Sequence, residues 1–223
     1  MDNRLAYIDF IRAYAIFLVT SFHLWRFFGK PSEILYGYDL FSIFEKGWGG
    51  VELFFVISGY SMALITFKKQ KIDWQKYFIK RILRIIPAYY IAIIIWDILI
   101  YNGVAPKPIG WIDQLTHILF IHTFSPDTYY SLSGVFWSLG IEMQFYFLLP
   151  LLFWFIIRFP IITILFFSLP LLYNSFVVNS FLFEKTVFAF IIYFILGYVL
   201  YIKKFILYNF LFLNKIGIFE KSL

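Results

Sequence analysis

The chain has 223 residues, of which 62% are hydrophobic and only 14% charged, a balance too apolar for an ordinary water-soluble globule. Its net charge of +6 does not point to nucleic acid, because the basic residues gather in one segment with no interleaved readout motif. The absence of cysteine excludes disulfides, thiol catalysis and cysteine-based metal sites.

A helix needs about 20 apolar residues to cross the hydrocarbon core of a membrane. Runs of that kind predict spans at 6 to 26, 47 to 66, 84 to 101, 134 to 157, 160 to 178 and 186 to 202. The first opens almost at Met1, contains Asp9 and Arg12 and has no small-residue cleavage site after it, so it reads as a retained span and not a signal peptide. The stretch from Trp111 to Phe124 is apolar but short, and it carries Asp113, His117 and His122. It reads as re-entrant or interfacial. A last apolar run, Phe205 to Leu213, is shorter still. The expected fold class is all-α, a polytopic transmembrane helix bundle of about six to eight membrane helices including one short or re-entrant segment. No soluble domain, fixed-period repeat or low-complexity linker is evident.

The segment from Phe67 to Arg84, read as a loop, holds Lys68, Lys69, Lys71, Lys76, Lys80, Arg81 and Arg84 against one acid, Asp73. The positive-inside rule places it in the cytoplasm, and the N-terminus with it. Counting spans forward, Arg158 and the pair Lys203 and Lys204 fall on the same side only if residues 111 to 124 do not cross. That parity favours re-entrance there.

An ionisable residue inside a span costs on the order of 2.5 to 3.5 kcal/mol, so its default place is the bundle interior or a wet cavity. In "DFIRAYAIFLVTSFHLW", Arg12 and His23 are eleven residues apart. At about 100° and 1.5 Å per residue they share one face to within roughly 20° and stand about 16 Å apart along it. Asp9 is three residues before Arg12, within reach to pair with it and orient it. The plain alternative is that Arg12 snorkels to headgroups and His23 sits at the interface beside Trp25.

In "KRILRIIPAYY", Arg81 and Arg84 are spaced i, i+3 at the cytoplasmic mouth of a span, with Pro87 just beyond. Two guanidiniums there suit the phosphates of a nucleotide-containing donor; setting topology against anionic lipid is the other reading. In "GGVELFFVISGY", Glu52 enters the apolar run at its outer end, solvated or functional, while Ser58 with Gly59 permits close helix approach. In "GVFWSLGIEMQFYFLLPLL", Glu142 and Gln144 lie inside an apolar helix, at a depth similar to His23 if that helix enters from outside. A carboxylate beside an imidazole would fix its tautomer and tune it as a base. His117 and His122, five apart, fall on different faces of a helix and make poor metal partners, so they read as structural or interfacial.

Taken together, Arg12 and His23 in the first helix, "GVELFFVISGY", "KRILRIIPAYY" and "WSLGIEMQFYFLLPLL" resemble, in order, the acyltransferase-3 family of bacterial membrane O-acyltransferases. The likeness covers roughly residues 5 to 155. It departs where that family's usual glycines are replaced by Phe10 and Ala13, and where a common double glutamate is Glu142 with Met143. The family's membrane domain is usually longer, with more spans, so residues 1 to 223 read as a single integral-membrane acyltransferase domain, incomplete at the C-terminal end.

The resemblance implies transfer of an acyl group, most often acetyl, from acyl-CoA to a hydroxyl of a cell-envelope polysaccharide or glycolipid. The expected setting is the bacterial inner membrane, multi-pass, with the N-terminus cytoplasmic. The expected partners are acyl-CoA, a carbohydrate or lipid-linked glycan acceptor and membrane lipids, with no nucleic acid, no bound cofactor and no metal. The resemblance makes Arg12 and His23 essential and Arg81 with Arg84 the donor-side motif; the mechanism expected from the residues themselves has His23 as base with Glu142 or Glu52 orienting it, Arg81, Arg84 and Arg12 binding the donor, and Asp9 orienting Arg12. Two rival readings are an inactive truncated remnant of such an enzyme and a membrane transporter whose permeation path the Arg12 and His23 stripe would line; no inverted repeat supports the latter.

Overall fold

The computed structural model describes residues 6–36, 38–66, 72–104, 109–176 and 181–220. In chain order these form α1 (Ala6–Phe27), the two-residue strands β1 (Ile34–Leu35) and β2 (Tyr38–Asp39), α2 (Ser42–Glu45), α3 (Gly49–Thr66), α4 (Trp74–Tyr101), α5 (Trp111–Ile118), α6 (Pro126–Tyr129), α7 (Phe136–Arg158), α8 (Pro160–Phe176), α9 (Phe181–Lys185) and α10 (Val187–Glu220). The architecture is all-α, as the apolar runs predict. Among the described residues five helical segments are long and apolar enough to cross a membrane: Ala6–Phe27, Ser42–Thr66, Trp74–Tyr101, Phe136–Ile156 and Val187–Lys204. The chain is a multi-pass membrane protein. Its helices gather into two compact units, one of Met1–Gln70 with Tyr193–Leu223 and the other of Lys71–Ile192.

In the first unit α3 lies against α1 and α10, and glycines set how closely. A methyl at Gly50 would strike the Ala15 carbonyl of α1, and one at Gly47, in the turn before α3, would strike that of Leu18. On α3's other side the arrangement is reciprocal: a methyl at Gly59 would run into the Phe194 carbonyl, and one at Gly197 into the Val56 carbonyl. Helix backbones in lipid gain their contact from such small residues, since no hydrophobic drive separates tail from side chain. Phe55 stacks on Phe194 with ring centroids 4.7 Å apart, and the Thr66 and Tyr198 hydroxyls meet at 3.1 Å. Ser58 and Gly59 thus sit at the close approach their types suggest.

In the second unit α4 begins at Trp74, ten residues before the predicted span. Asp73 explains the early start: its side chain accepts from the Lys76 backbone N–H at 3.0 Å, an N-cap that nucleates the first turn. That N–H, with the Lys76 ammonium at 3.3 Å, holds the Asp73 carboxyl below the usual carboxylate range. Lys76, Lys80, Arg81 and Arg84 therefore lie on a helix and not in a loop, which corrects the expected boundary; Lys68, Lys69 and Lys71 lie outside the described residues.

The next segment resolves the question of crossing. With eight residues, about 12 Å, α5 cannot span a bilayer. It runs back along α4: Gln114 donates to Asp97 at 2.5 Å, while the Tyr90 hydroxyl donates to the Ile118 carbonyl at 3.0 Å. The chain enters level with Asp97 and reaches the level of Tyr90, then turns at Phe120 in the left-handed region (φ 58°) before α6 and α7. A short helix followed by a reversal is the form expected of a re-entrant or interfacial segment. From there α7 returns along α4, with Phe136 against Tyr89, Phe147 stacked on Phe78 and Phe153 against Trp74. One expected boundary differs: the run Phe205 to Leu213 is a continuation of α10. Helix α8 fills the expected span from 160 to 176, and residues 177 and 178 of that expectation lie outside the described residues.

Candidate active site

Two clusters of polar side chains stand within the apolar helices, one in each unit. In the first unit Arg12 is half-buried where α1 faces α3. Its guanidinium donates from Nη2 to the Ser61 hydroxyl at 2.9 Å and lies 3.9 Å from the Asp9 carboxylate. Ser61 passes its own proton to the Ile57 carbonyl at 2.8 Å, so its lone pairs are turned toward the arginine. The acid-base pairing expected of Asp9 is present, and Ser61 is a partner that spacing within α1 had no means to reveal. His23 is half-buried further along α1, edge-on to Phe22 at 5.4 Å. Among the described residues its imidazole makes no side-chain hydrogen bond, leaving both ring nitrogens open to an incoming group.

Glu52 opens α3, and its carboxylate accepts from the Tyr193 hydroxyl at 2.7 Å. This glutamate is half-buried and hydrogen-bonded within the unit. Glu142, 5% exposed, belongs to the second unit, where the Tyr146 hydroxyl one turn along α7 donates to it. The Arg81 guanidinium lies over the Tyr146 ring at 5.2 Å and the Tyr77 ring at 5.7 Å, and Tyr77 is within electrostatic reach of both Arg81 and Glu142. Arg81, Tyr77, Tyr146 and Glu142 therefore form one charge-compensated cluster between α4 and α7. Arg84, three residues on, is exposed. The two arginines do different things: one is clamped between aromatic rings, a desolvated cation–π setting, and the other is free to meet a ligand.

Beside this cluster the helix ends bring together what the sequence reading set apart. Because α5 stops at Ile118 and the chain reverses, His117 and His122 do not share a helix, and their rings stack at 3.8 Å, 10° from parallel. Both are fully buried. His117 Nδ1 meets the Tyr89 hydroxyl at 3.0 Å and Nε2 the Ser131 hydroxyl at 3.2 Å. Burial, with His122 beside it, lowers His117 to about 3; burial lowers His122 to about 4 against the opposing pull of the Phe136 and Thr116 backbone. Two neutral imidazoles are the result. Gly140 of α7 leaves room for them, since a methyl there would press on the His122 ring. Gln144, buried one turn further, donates to the Phe120 carbonyl at 2.6 Å and the Thr123 hydroxyl at 2.7 Å, tying the turn to α7.

Comparison with known proteins fits this inventory. The model of the acyltransferase-3 family, an acyltransferase domain, matches residues 5–219. The chain belongs to this family. The match runs well past residue 155, where the motifs of the sequence end. Among curated relatives, the peptidoglycan O-acetyltransferase OatA of Listeria monocytogenes is 28% identical over 160 residues, 64% of this chain and 23% of that protein. A putative acetyltransferase, ORF330 of Acidianus two-tailed virus, is 30% identical over 154 residues, 68% of this chain and 41% of that protein. The putative peptidoglycan O-acetyltransferase YrhL of Bacillus subtilis is 29% identical over 159 residues, 65% of this chain and 23% of that protein. The chain thus spans less than half the length of each. No solved structure matches it.

Proposed function

We propose that this acyltransferase-3 chain transfers an acetyl group from acetyl-CoA, bound on the cytoplasmic side, to a hydroxyl of a cell-envelope polysaccharide or glycolipid. The observation that carries the reading is the polar face of α1. There Arg12 is fixed by Asp9 and Ser61, and His23 stands open about 16 Å further along the same face. A distance of that order matches the reach of the pantetheine arm, so a donor whose phosphates lie at the basic end can present its thioester near the imidazole. The likeness to OatA, a peptidoglycan O-acetyltransferase, and to YrhL, named as a putative one, supports an acetyl group and an envelope glycan.

In this reading Arg84, exposed on α4, suits the donor phosphates, Arg81 is held beside it by Tyr77 and Tyr146, and Arg12 is the donor-binding residue assigned within the first unit. His23 withdraws the proton from the acceptor hydroxyl as its oxygen attacks the thioester carbonyl. The carbon–sulfur bond then breaks, and the imidazolium returns the proton to the departing CoA thiolate. Glu52, in the same unit and hydrogen-bonded to Tyr193, is the carboxylate assigned to orient the base. The basic start of α4 supports a cytoplasmic N-terminus, and a bacterial inner membrane is the setting that the resemblance implies.

The test is transfer of radiolabel from acetyl-CoA into glycan and lipid-linked fractions of native membranes containing this chain. Label that appears with the parent chain and vanishes with His23→Ala is the expected result. Equal transfer by both would remove His23 from the chemistry, and transport of a solute without acetyl-CoA dependence would overturn the reading altogether.

A further inference from the structure

The connection between α4 and α7 forms an open cleft of about 680 Å³, within the roughly 300 to 1,000 Å³ of small-molecule sites. Nothing in the mechanism above uses it. One wall is α5, with Trp111, Asp113 and Thr116; the other is the return of the chain into α6, with Ser125, Asp127 and Thr128. Its place along α4 is informative. Gln114 fastens α5 to Asp97, thirteen residues and about 20 Å beyond Arg84, so the cleft lies at the end of the unit opposite the basic residues.

The lining excludes one class of ligand and selects another. Among the described residues it contains no lysine or arginine, which is the wrong chemistry for the phosphates of a nucleotide donor. Its two carboxylates stand among the apolar Ile112, Ile121 and Phe124, a mixed lining that suits a ring with polar edges and apolar faces better than a plain hydrocarbon chain. Trp111 is 75% exposed and offers the flat, weakly polar face on which the C–H surface of a sugar ring can lie. The carboxylates and hydroxyls around it are acceptors and short-range donors for hydroxyl groups. Asp113 gives one oxygen to the Gly110 N–H at 2.8 Å and keeps the other; among the described residues neither the Asp127 carboxylate nor the Ser125 hydroxyl has a side-chain partner. The floor is preformed, since Thr128 donates to the His122 carbonyl at 2.8 Å and His122 is stacked on His117. A rigid site of this kind loses little entropy on binding.

We infer that this cleft binds a neutral sugar ring of the acceptor glycan, with Trp111 as its stacking platform and Asp113 and Asp127 holding its hydroxyls. The inference rests on the transferase reading for its acceptor class, and the experiment separates the two. Saturation-transfer NMR on the full chain in detergent micelles, with chitobiose, cellobiose and mannobiose as probes and decanoate as the hydrocarbon rival, reads the site directly. At least one disaccharide should bind, and Trp111→Ala and Asp127→Asn should each raise its Kd about tenfold or more. Both substitutions are at exposed positions, and unaltered acetyl-CoA binding reports an intact fold. Saturation from no disaccharide, or from decanoate alone, overturns the sugar site. Transfer that proceeds with the acceptor KM untouched by Trp111→Ala and Asp127→Asn also overturns it while leaving the transferase reading standing. Sugar binding that depends on Trp111 in a chain that transfers no label retains the site and discards the reaction.

Discussion

Arg12 stands in the apolar body of α1 because Ser61 and Asp9 answer its charge from two sides. Hydrogen bonds to charged groups contribute about 1.5 to 3 kcal/mol, so Ser61→Ala should lower the thermal midpoint of the detergent-solubilised chain and weaken acetyl-CoA binding. Ser61→Thr, which keeps the hydroxyl, should restore both. The buried histidines make a prediction of opposite character. Their folded-state values of about 3 and about 4 lie below the 6.5 of an unfolded histidine. Below pH 6.5 the unfolded chain therefore takes up protons that the folded chain refuses, and stability falls as the pH drops through that window. The parent chain should lose thermal midpoint steadily between pH 6.5 and 4. His122→Gln, lacking one of the two groups, should lose less; an identical slope would show that the pair does not govern acid sensitivity. What could be read at this scale from the sequence was the charge inside the helix and the shared face of Arg12 and His23, since both follow from helical periodicity. Ser61, Tyr193 and Tyr146 were out of view because an uncharged hydroxyl carries no burial cost large enough to announce a partner. Tyr146 alone left a trace, lying four residues from Glu142.

The helices meet where glycine permits. Replacing Gly59 or Gly197 by alanine gains about 1 kcal/mol of helix propensity but drives a methyl into the Phe194 or Val56 carbonyl, and forced overpacking costs about 1 to 3 kcal/mol. The obstacle is backbone, which cannot rotate aside, so each substitution should destabilise the first unit. Gly49→Ala meets nothing within 4 Å and should be neutral or slightly stabilising; thermal midpoints of the three variants check the order. Element existence was legible from apolar run length, and five of the predicted spans have long apolar helices at their centres. The ends were less so. The hydropathy of α4 begins late, whereas the Asp73 cap starts the backbone earlier and carries the basic residues into the helix. The dip of α5 was hinted at by its length and charge, but the stacking of His117 on His122 depends on a chain reversal at Phe120 that no residue preference reveals in advance.

For the whole molecule, the cysteine-free sequence allows single reporters to be placed at will. With the basic start of α4 inside, a cysteine at Gln75 should be labelled by an impermeant maleimide only after the membrane is opened, and one at Tyr130 or Glu33 before it. Labelling of all three from one face would reverse or dismantle the proposed topology. The first unit also has an order of assembly written into it. Glu52 and its partner Tyr193 are 141 residues apart, and the whole of the second unit is made between them. A chain inserted from its N-terminus thus carries α1 and α3 into the bilayer with the Gly59 notch uncovered and Glu52 awaiting its hydroxyl. The arrival of α10 completes both at once. A membrane quality-control system would encounter an exposed intramembrane carboxylate for as long as synthesis of α4 to α9 lasts, and α10 is the element whose docking ends that exposure.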